Sequence, residues 1–413
     1  MAPVLANLSR FAGAIESRVC VTAQHREMLD QVLEVFGIVP DVDLDVMTDD
    51  QAPWQVVSSV LEGLDRVLAD ARPDLVLVHG DTTTTMAASL AAFYRRIPVG
   101  HVEAGLRTHD RYYPFPEEMN RLVADDLASL HFAPTQTARE NLLREGVSAR
   151  SVFVTGNTVI DALLSVVGRE GRAGQTGAPD ARGGPGLPDV PEGARLVLVT
   201  AHRRENFGAP LESICRALRD VADAFPDAFV VYPVHLNPNV QRTAHAVLDG
   251  HPRVSLVAPM SYLPFARLMA RAHIVVTDSG GIQEEAPSLG KPVLVLRNET
   301  ERPEAVEAGT VRIVGTEREA IVRAITSLLT DRAAYDAMTS AVNPYGDGHA
   351  ARRIVAAIMR EMGVPGGEPF EEFAPAAADA GRSDAVKGRA DAGRSDAGGT
   401  DAGERCAPKE DRC

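Results

Sequence analysis

Two short stretches of the sequence concentrate acids and bases directly after apolar, strand-like runs. Residues 75–85 read LVLVHGDTTTT and place Asp81 immediately behind such a run. Residues 101–121 read HVEAGLRTHDRYYPFPEEMNR and add Glu103 and Glu117. Carboxylates that meet at one ligand can act as general acid and general base, so these three residues are candidates for proton transfer.

The segment PEEMNR at 116–121 also fits a purely structural interpretation. Its proline suits the first turn of a helix, and its acids complement the helix dipole. Glu117 and Arg121 would then form an ordinary i,i+4 pair. Convergence with the carboxylates that follow the neighbouring strands favours a functional site.

A glycine turn between a strand and a helix predicts an anion site at 277–292, TDSGGIQEEAPSLGKP. Ser279, Gly280 and Gly281 would present free N–H groups, and the small residues let a phosphate approach the backbone. Glu285, one turn into the helix, could accept hydrogen bonds from a ribose. An ordinary βα turn with an acidic first helical turn is the alternative.

A cluster of bases follows another strand in TAHRRENFG at 200–208. His202, Arg203 and Arg204 fit a solvated turn. Three such groups at the carboxyl end of a strand favour a diphosphate ligand instead.

Metal and tightly held nucleotide sites lack their sequence signatures. HVE at 101–103 matches the H-x-E of zinc deaminases, but the P-C-x-x-C that should accompany it is missing. H-E-x-x-H, G-x-G-x-x-G and the P-loop pattern are absent from the sequence as well. We therefore expect no metal and no tightly bound cofactor.

The elements that must position these residues are short β-branched runs that alternate with helical patterns, which indicates parallel sheets covered on both faces. The runs are RVCVTA (18–23), LVLVHG (75–80), PVGHVEA (98–104), LHFAPT (130–135), VFVTGN (152–157), RLVLVTAH (195–202), FVVYPVH (229–235), VSLVAP (254–259), IVVTDS (274–279), PVLVLR (292–297) and VRIVG (311–315). Ligands of open α/β sheets bind at the carboxyl ends of the strands, where the polar residues cluster.

Two breaks in composition divide the chain. The Gly- and Pro-rich segment 168–193 predicts a linker or surface insertion between two doubly wound domains, 1–167 and 194–345. Residues 366–413 repeat DAGRSDA and have almost nothing to bury, which predicts a disordered tail.

Composition excludes several classes of protein. A net charge of −15 over 413 residues argues against a general nucleic-acid binder. No apolar run approaches the length of a membrane span, and the N-terminal residues lack the pattern of a signal peptide. The cysteines form no C-x-x-C pair, so we expect a reduced, cytoplasmic protein.

The sequence resembles bacterial non-hydrolysing UDP-N-acetylglucosamine 2-epimerases in a long series of ordered motifs. These are HGDTTTT, GHVEAGLRT, PEEMNR, TGNTVIDAL, HRRENFG, YPVHLNPNV, TDSGGIQEEAPSLGKPVLVLR, TERPEAVEAGT and NPYGDG. The resemblance spans roughly residues 1–360, apart from 168–193. Hydrolysing relatives typically carry an H-G-G-E-type stretch where this chain has HVEAG, so they are disfavoured.

The resemblance implies a GT-B-like α/β fold, in which two Rossmann-like domains face a central cleft. Residues 346–365 would form a helix that returns to the first domain. The family also implies a homodimer that binds UDP-GlcNAc and UDP-ManNAc and needs neither NAD nor a metal.

The implied reaction is the reversible inversion of C2, by elimination of UDP to 2-acetamidoglucal and its re-addition. Asp81, Glu103 and Glu117 match the family's catalytic carboxylates, and His202 matches a catalytic group at the departing diphosphate. Which carboxylate removes the C2 proton stays open. The positions that match substrate-binding residues are Arg121, Phe265, Ser279, Gly280, Gly281, Glu285 and Arg302.

A second set of residues matches the family's regulatory site, where another UDP-GlcNAc binds as an activator. The set is Gln24, His25, Gln51, Arg203 and His235. Glu27 and Asp50 fall in the same stretches, and two acids near a diphosphate would weaken such a site.

The chain departs from the family pattern at two places. Relatives begin with a strand and a G-T-R-P-E-A-I-K-type turn ahead of the M-A-P that opens this sequence, so we expect a longer natural protein. Met260 replaces a residue that is often polar near the uracil. A GT-B glycosyltransferase and a UDP-sugar-binding protein with impaired catalysis are the alternative functions.

Overall fold

The computed structural model describes residues 1–23, 26–47, 51–173 and 187–375. It contains two large parallel sheets of the kind expected, each covered by helices, and a separate two-stranded parallel pair. The N-terminal lobe comprises the described residues up to 173 and the last helix, Ala350–Glu361. The C-terminal lobe comprises the elements between Arg195 and Thr339.

The N-terminal lobe contains a four-stranded parallel sheet in the order β3-β4-β5-β6 and a separate parallel pair, β1-β2. Its strands are β1 (Cys20–Val21), β2 (Val42–Asp43), β3 (Val76–His79), β4 (Val99–Val102), β5 (Leu130–Ala133) and β6 (Val152–Val154). Its helices are α1 (Ala2–Leu8), α2 (Arg26–Phe36), α3 (Pro53–Ala71), α4 (Thr83–Tyr94), α5 (Glu117–Leu127), α6 (Gln136–Arg144), α7 (Thr158–Ala173) and α15 (Ala350–Glu361).

The C-terminal lobe contains a six-stranded parallel sheet in the order β12-β11-β10-β7-β8-β9. Its strands are β7 (Arg195–Thr200), β8 (Ala228–Pro233), β9 (Val254–Val257), β10 (Ile274–Thr277), β11 (Val293–Val295) and β12 (Val311–Ile313). Its helices are α8 (Ala209–Ala224), α9 (Pro238–Leu248), α10 (Tyr262–Arg271), α11 (Gly280–Glu285), α12 (Pro303–Glu307), α13 (Arg318–Thr330) and α14 (Arg332–Thr339).

Strand register brings the candidate site residues together. In the N-terminal lobe His79 pairs with Val102, so the residues that follow β3 and β4 emerge side by side. In the C-terminal lobe Thr200 pairs with Thr277, which aligns the turns after β7 and β10. Both sheets are held by aliphatic side chains, as the low aromatic content requires.

The helix expected over residues 346–365 is α15, and it packs on the N-terminal lobe. Its Ile354 and Ile358 share a buried cluster with Val4 of α1 and Val102 of β4. The carboxylate of Asp161 on α7 accepts the first N–H groups of α15 and so caps its N-terminus.

Segment boundaries differ in detail from those expected. Helix α7 continues to Ala173, inside the segment 168–193 that was expected to be a linker. Residues 366–375, placed at the start of the tail, pack on the N-terminal lobe. Phe373 is buried there, and its N–H donates to the carbonyl of Val154. The remainder of the expected tail lies outside the described residues.

Two further expectations concern membrane-spanning helices and a strand ahead of Met1. No helix in the described parts of the chain has both the length and the apolar character of a membrane span. The strand expected ahead of Met1 is not among the residues of this chain, so it stays a prediction.

Candidate active site

Asp81 lies in the turn between β3 and α4, with about a third of its side chain exposed (34%). Nη2 of Arg121 donates to Asp81 Oδ2 over 2.8 Å, and the Asn120 amide donates to the Asp81 carbonyl. Burial raises the pKa of Asp81, and the charges of Glu103 and Glu117 raise it further against the opposing effect of Arg121. A raised pKa suits a carboxyl group that exchanges a proton near neutral pH.

Glu103 follows β4 in a left-handed conformation, with φ of +69°. Its Oε2 lies 3.3 Å from His79 Nε2, and its Oε1 accepts from Asn157 Nδ2 over 3.1 Å. Burial alone would raise the pKa of Glu103. The His79 hydrogen bond, with the charge of Arg302 and the Asn157 hydrogen bond, outweighs it and lowers the pKa to about 2. Glu103 is therefore ionised throughout the physiological range.

Gly80 provides the close approach that Glu103 needs. A Cβ atom on Gly80 would lie 3.3 Å from Glu103 Oε2, and the residue has φ of +71°, where L side chains are strained. The turn therefore requires a glycine between His79 and Asp81.

Glu117 and Glu118 have different roles at the start of α5. Glu117 is half-buried, and its charge contributes to the raised pKa of Asp81. Glu118 is buried and accepts the N–H groups of Thr108 and His109, which fixes the loop before α5. Arg121 pairs with Asp81 and Glu118, so the i,i+4 pair with Glu117 that a simple helix start would form is not the observed arrangement.

His202 lies at the carboxyl end of β7 beside the buried carboxylate of Asp278. Asp278 Oδ2 accepts the N–H groups of His202 and Arg203, each over 2.8 Å. Asp278 Oδ1 has no hydrogen-bond partner and lies 3.6 Å from His202 Nδ1. Burial lowers the pKa of His202, an effect that Asp278 opposes and that His235 and Arg203 reinforce.

The turn at Ser279, Gly280 and Gly281 begins α11, as the sequence predicts. Ser279 occupies the N-cap position, but its side chain makes no capping hydrogen bond, and its N–H donates to Thr277 Oγ1. Glu285 ends this helix, and burial together with the charge of its neighbour Glu284 raises its pKa to about 7. A ligand that donates hydrogen bonds to this carboxyl would stabilise its ionised form.

Arg302 is half-buried and paired with Glu284, a residue to which the sequence assigned no role. Arg302 Nε donates to Glu284 Oε1, while the second oxygen of Glu284 accepts from Asn157 Nδ2 over 2.7 Å. Phe265 lies partly buried on α10 against the core of the same lobe. Asn157 lies in the motif TGNTVIDAL, and this motif was the only feature of the sequence that pointed to a role for the residue.

The residues that match a regulatory site are described only in part. Gln24, His25 and Asp50, and the side chain of Glu27, lie outside the described residues, while Gln51 lies within them.

Arg203 and His235 both lie beside the candidate catalytic residues. The ring of His235 stacks on that of His202, with centroids 5.4 Å apart. Arg203 Nη2 lies 3.8 Å from the position of a Cβ on Gly280.

The described part of the chain contains no group of three or more His, Cys, Asp or Glu residues arranged to hold a metal ion. Asp81, Glu103 and Glu284 are instead paired with arginine, histidine and amide groups.

Comparison with known proteins identifies the family. The family model for UDP-N-acetylglucosamine 2-epimerase matches residues 9–359. The chain belongs to the UDP-N-acetylglucosamine 2-epimerase family. A Ralstonia solanacearum protein named probable UDP-N-acetylglucosamine 2-epimerase is 57% identical over 360 residues, 87% of this chain and 95% of the relative. The UDP-N-acetylglucosamine 2-epimerase of Escherichia coli K12 is 55% identical over 358 residues, 87% of this chain and 94% of the relative.

A solved structure of this epimerase family shares the fold. The UDP-GlcNAc 2-epimerase from Neisseria meningitidis bound to UDP-GlcNAc superposes with a TM-score of 0.77 at 47% identity. The match covers 87% of this chain and 96% of that structure. The predictions of the family and of a GT-B-like α/β fold are confirmed.

Proposed function

We propose that the protein interconverts UDP-N-acetylglucosamine and UDP-N-acetylmannosamine by inverting C2 of the sugar. The observation that carries this proposal is the placement of Asp81 and Glu103 at adjacent strand ends, with Glu117 of α5 near Asp81 and Arg121 paired with Asp81. The names of the relatives and the UDP-GlcNAc bound to the Neisseria meningitidis structure support the same substrate.

The reaction needs a proton to leave one face of C2 and to return on the other. As the C2–H bond breaks, the C1–O bond to UDP breaks as well, and the electron pair of C2–H becomes the C1=C2 double bond of 2-acetamidoglucal. Asp81, with its raised pKa, and Glu117 beside it take up and deliver this proton. Glu103 remains ionised and stabilises the positive charge that develops at C1.

The C-terminal lobe receives UDP. The N–H groups of Gly280 and Gly281 and the imidazole of His202 face the departing diphosphate, whose charge needs donors, and Ser279 offers its hydroxyl beside them. Arg302 adds a cation. Glu285 binds the ribose, and Phe265 lies beside the uracil.

A second UDP-GlcNAc is the proposed activator, bound by Gln24, His25, Gln51, Arg203 and His235. The last two adjoin His202 and Gly280, so such a ligand would lie against the catalytic one. We further infer a cytoplasmic homodimer that supplies ManNAc for cell-envelope polysaccharide.

Incubation with UDP-GlcNAc alone tests this function. The epimerase yields UDP-ManNAc, and in deuterated water the product carries deuterium at C2. Free sugar plus UDP would indicate a hydrolase, and binding without product a UDP-sugar-binding protein. A glycosyltransferase would need an added acceptor.

A further inference from the structure

The side chain of Asn157 lies between two carboxylates from different lobes. Its Nδ2 donates to Glu103 Oε1 over 3.1 Å and to Glu284 Oε2 over 2.7 Å. Its Oδ1 accepts the N–H of Val159, and the backbone N–H of Asn157 donates to the carbonyl of Tyr345. Because the oxygen is occupied at the start of α7, both amide hydrogens are directed at the carboxylates.

Glu284 is a buried acid that the proposed chemistry does not use. Only 3% of the residue is exposed, and burial raises its pKa, against the opposing effects of Arg302 and Asn157. Burying an ionisable group is costly unless it is paired and hydrogen-bonded, as Glu284 is on both oxygens. A buried carboxylate that is paired on both oxygens and adjoins Glu285 and Arg302 is a candidate for a role in the site.

The contacts form one continuous chain, from Arg302 to Glu284, to Asn157 and to Glu103. Arg302 uses Nε on Glu284 and Nη1 on the carbonyl of Glu301, which fixes the plane of its guanidinium. The remaining N–H groups of that guanidinium are therefore held in a single orientation.

We propose that Glu284 and Asn157 are positioning residues, which orient the UDP-binding guanidinium of Arg302 and the carboxylate of Glu103 through one shared hydrogen-bond chain. This role rests on the proposed function. It makes the geometry of the acid in one lobe depend on the nucleotide-binding residue in the other. Small displacements of reacting groups cost up to about a hundredfold in rate, so such a link has kinetic consequences.

Two variants separate the two ends of the chain. Glu284→Gln keeps the shape but replaces one acceptor with a donor, which then faces either Arg302 or Asn157. Asn157→Ser keeps a hydroxyl that can accept the Val159 N–H, but it loses the amide donors. Glu304→Gln is the matched control, since Glu304 joins Thr135 of one lobe to Tyr345 and reaches neither Glu103 nor Arg302.

UDP affinity, measured by calorimetry, reports on the Arg302 end without any turnover. We expect Glu284→Gln to weaken UDP binding about tenfold, while Asn157→Ser and Glu304→Gln leave it within about twofold. Unchanged UDP affinity in Glu284→Gln would overturn the role at Arg302, whether or not the protein is an epimerase.

The value of kcat, set against substrate affinity, reports on the Glu103 end. Both Glu284→Gln and Asn157→Ser should lower kcat about tenfold or more at pH 8. Asn157→Ser should do so while KM for UDP-GlcNAc stays within about twofold, a split that a general loss of structure would not produce. The double variant should be no worse than the poorer single variant.

Three results would overturn the proposal: an unchanged kcat in Asn157→Ser, additive losses in the double variant, or the same losses in Glu304→Gln. Absence of UDP-ManNAc formation by the unaltered protein would instead count against the proposed function.

Discussion

His101 and Asp125 are joined by a buried contact of 2.5 Å between Nδ1 and Oδ1. The other ring nitrogen, Nε2, lies 2.7 Å from the carbonyl of Gly80. Both neighbours are hydrogen-bond acceptors, so both ring nitrogens must donate, and His101 is an imidazolium. Gly105 N–H and Arg107 also donate to Asp125, which completes the pairing of this charge.

This arrangement predicts that His101 is protonated at neutral pH. Burial opposes the charged ring, but Asp125 and the Gly80 carbonyl outweigh it and raise the pKa of His101. A raised folded-state pKa gives stability that is complete below about pH 6.5 and is lost as pH rises through the folded value. Nitrogen-15 shifts should show an imidazolium at neutral pH.

Replacement of His101 gives a stability test of the same assignment. His101→Gln retains one donor and should cost about 1–3 kcal/mol of unfolding free energy, because a buried acceptor loses its partner. The loss should be largest near pH 6 and should shrink at alkaline pH, where the parent loses its own contribution. Equal losses at pH 6 and pH 9 would show that His101 is neutral.

The carboxylates of the N-terminal lobe give a test of the chemistry. Asp81→Asn or Glu117→Gln should reduce epimerisation by about a hundredfold or more, as expected when a general acid or base is removed. Circular dichroism should be unchanged, and Glu140→Gln on the exposed face of α6 is a suitable control. Near-normal rates in both variants would mean that these residues are structural.

The raised pKa of Glu285 predicts that the affinity for ribose depends on pH. With a pKa of about 7 its carboxyl is largely protonated at pH 6 and ionised at pH 8. Ribose hydroxyls that donate to the ionised form should tighten uridine binding about tenfold over this interval. Uridine is the preferred probe because it has no phosphate that titrates there. Glu285→Gln should abolish the pH dependence, and an unchanged slope would exclude Glu285 as the ribose ligand.

His235 distinguishes regulation from catalysis. We expect His235→Ala to weaken the activation of UDP-ManNAc turnover by added UDP-GlcNAc more than it lowers the fully activated rate. Rates from UDP-ManNAc with and without trace UDP-GlcNAc would decide this. If the parent shows no activation, the proposed second site is absent from this protein.

The sequence allowed the strand ends and their polar residues to be predicted, because continuous apolar runs identify buried parallel strands and their termini are local features. Asp81, Glu103 and Ser279 lie where those patterns place them. The pairing of Asn157 with Glu284 was not predictable in this way, since the two residues are 127 positions apart and meet only when both lobes are folded.

Glu284 shows a second limit of sequence patterns. In QEEAP it adjoins Glu285, and the local pattern alone does not tell which carboxylate faces the ligand and which faces Arg302. The same limit applies to Glu117 and Glu118, whose burial and partners differ although they are adjacent.

The position of α15 has a consequence for biosynthesis. Ala351, Ile354 and Ile358 complete a core that is otherwise formed by α1 and the first sheet, yet they are translated after the whole C-terminal lobe. The core of the N-terminal lobe is therefore synthesised in two parts, one before and one after the C-terminal lobe. The lobe translated in the middle can fold while the earlier one waits with apolar surface uncovered, which exposes that surface to chaperones and to aggregation.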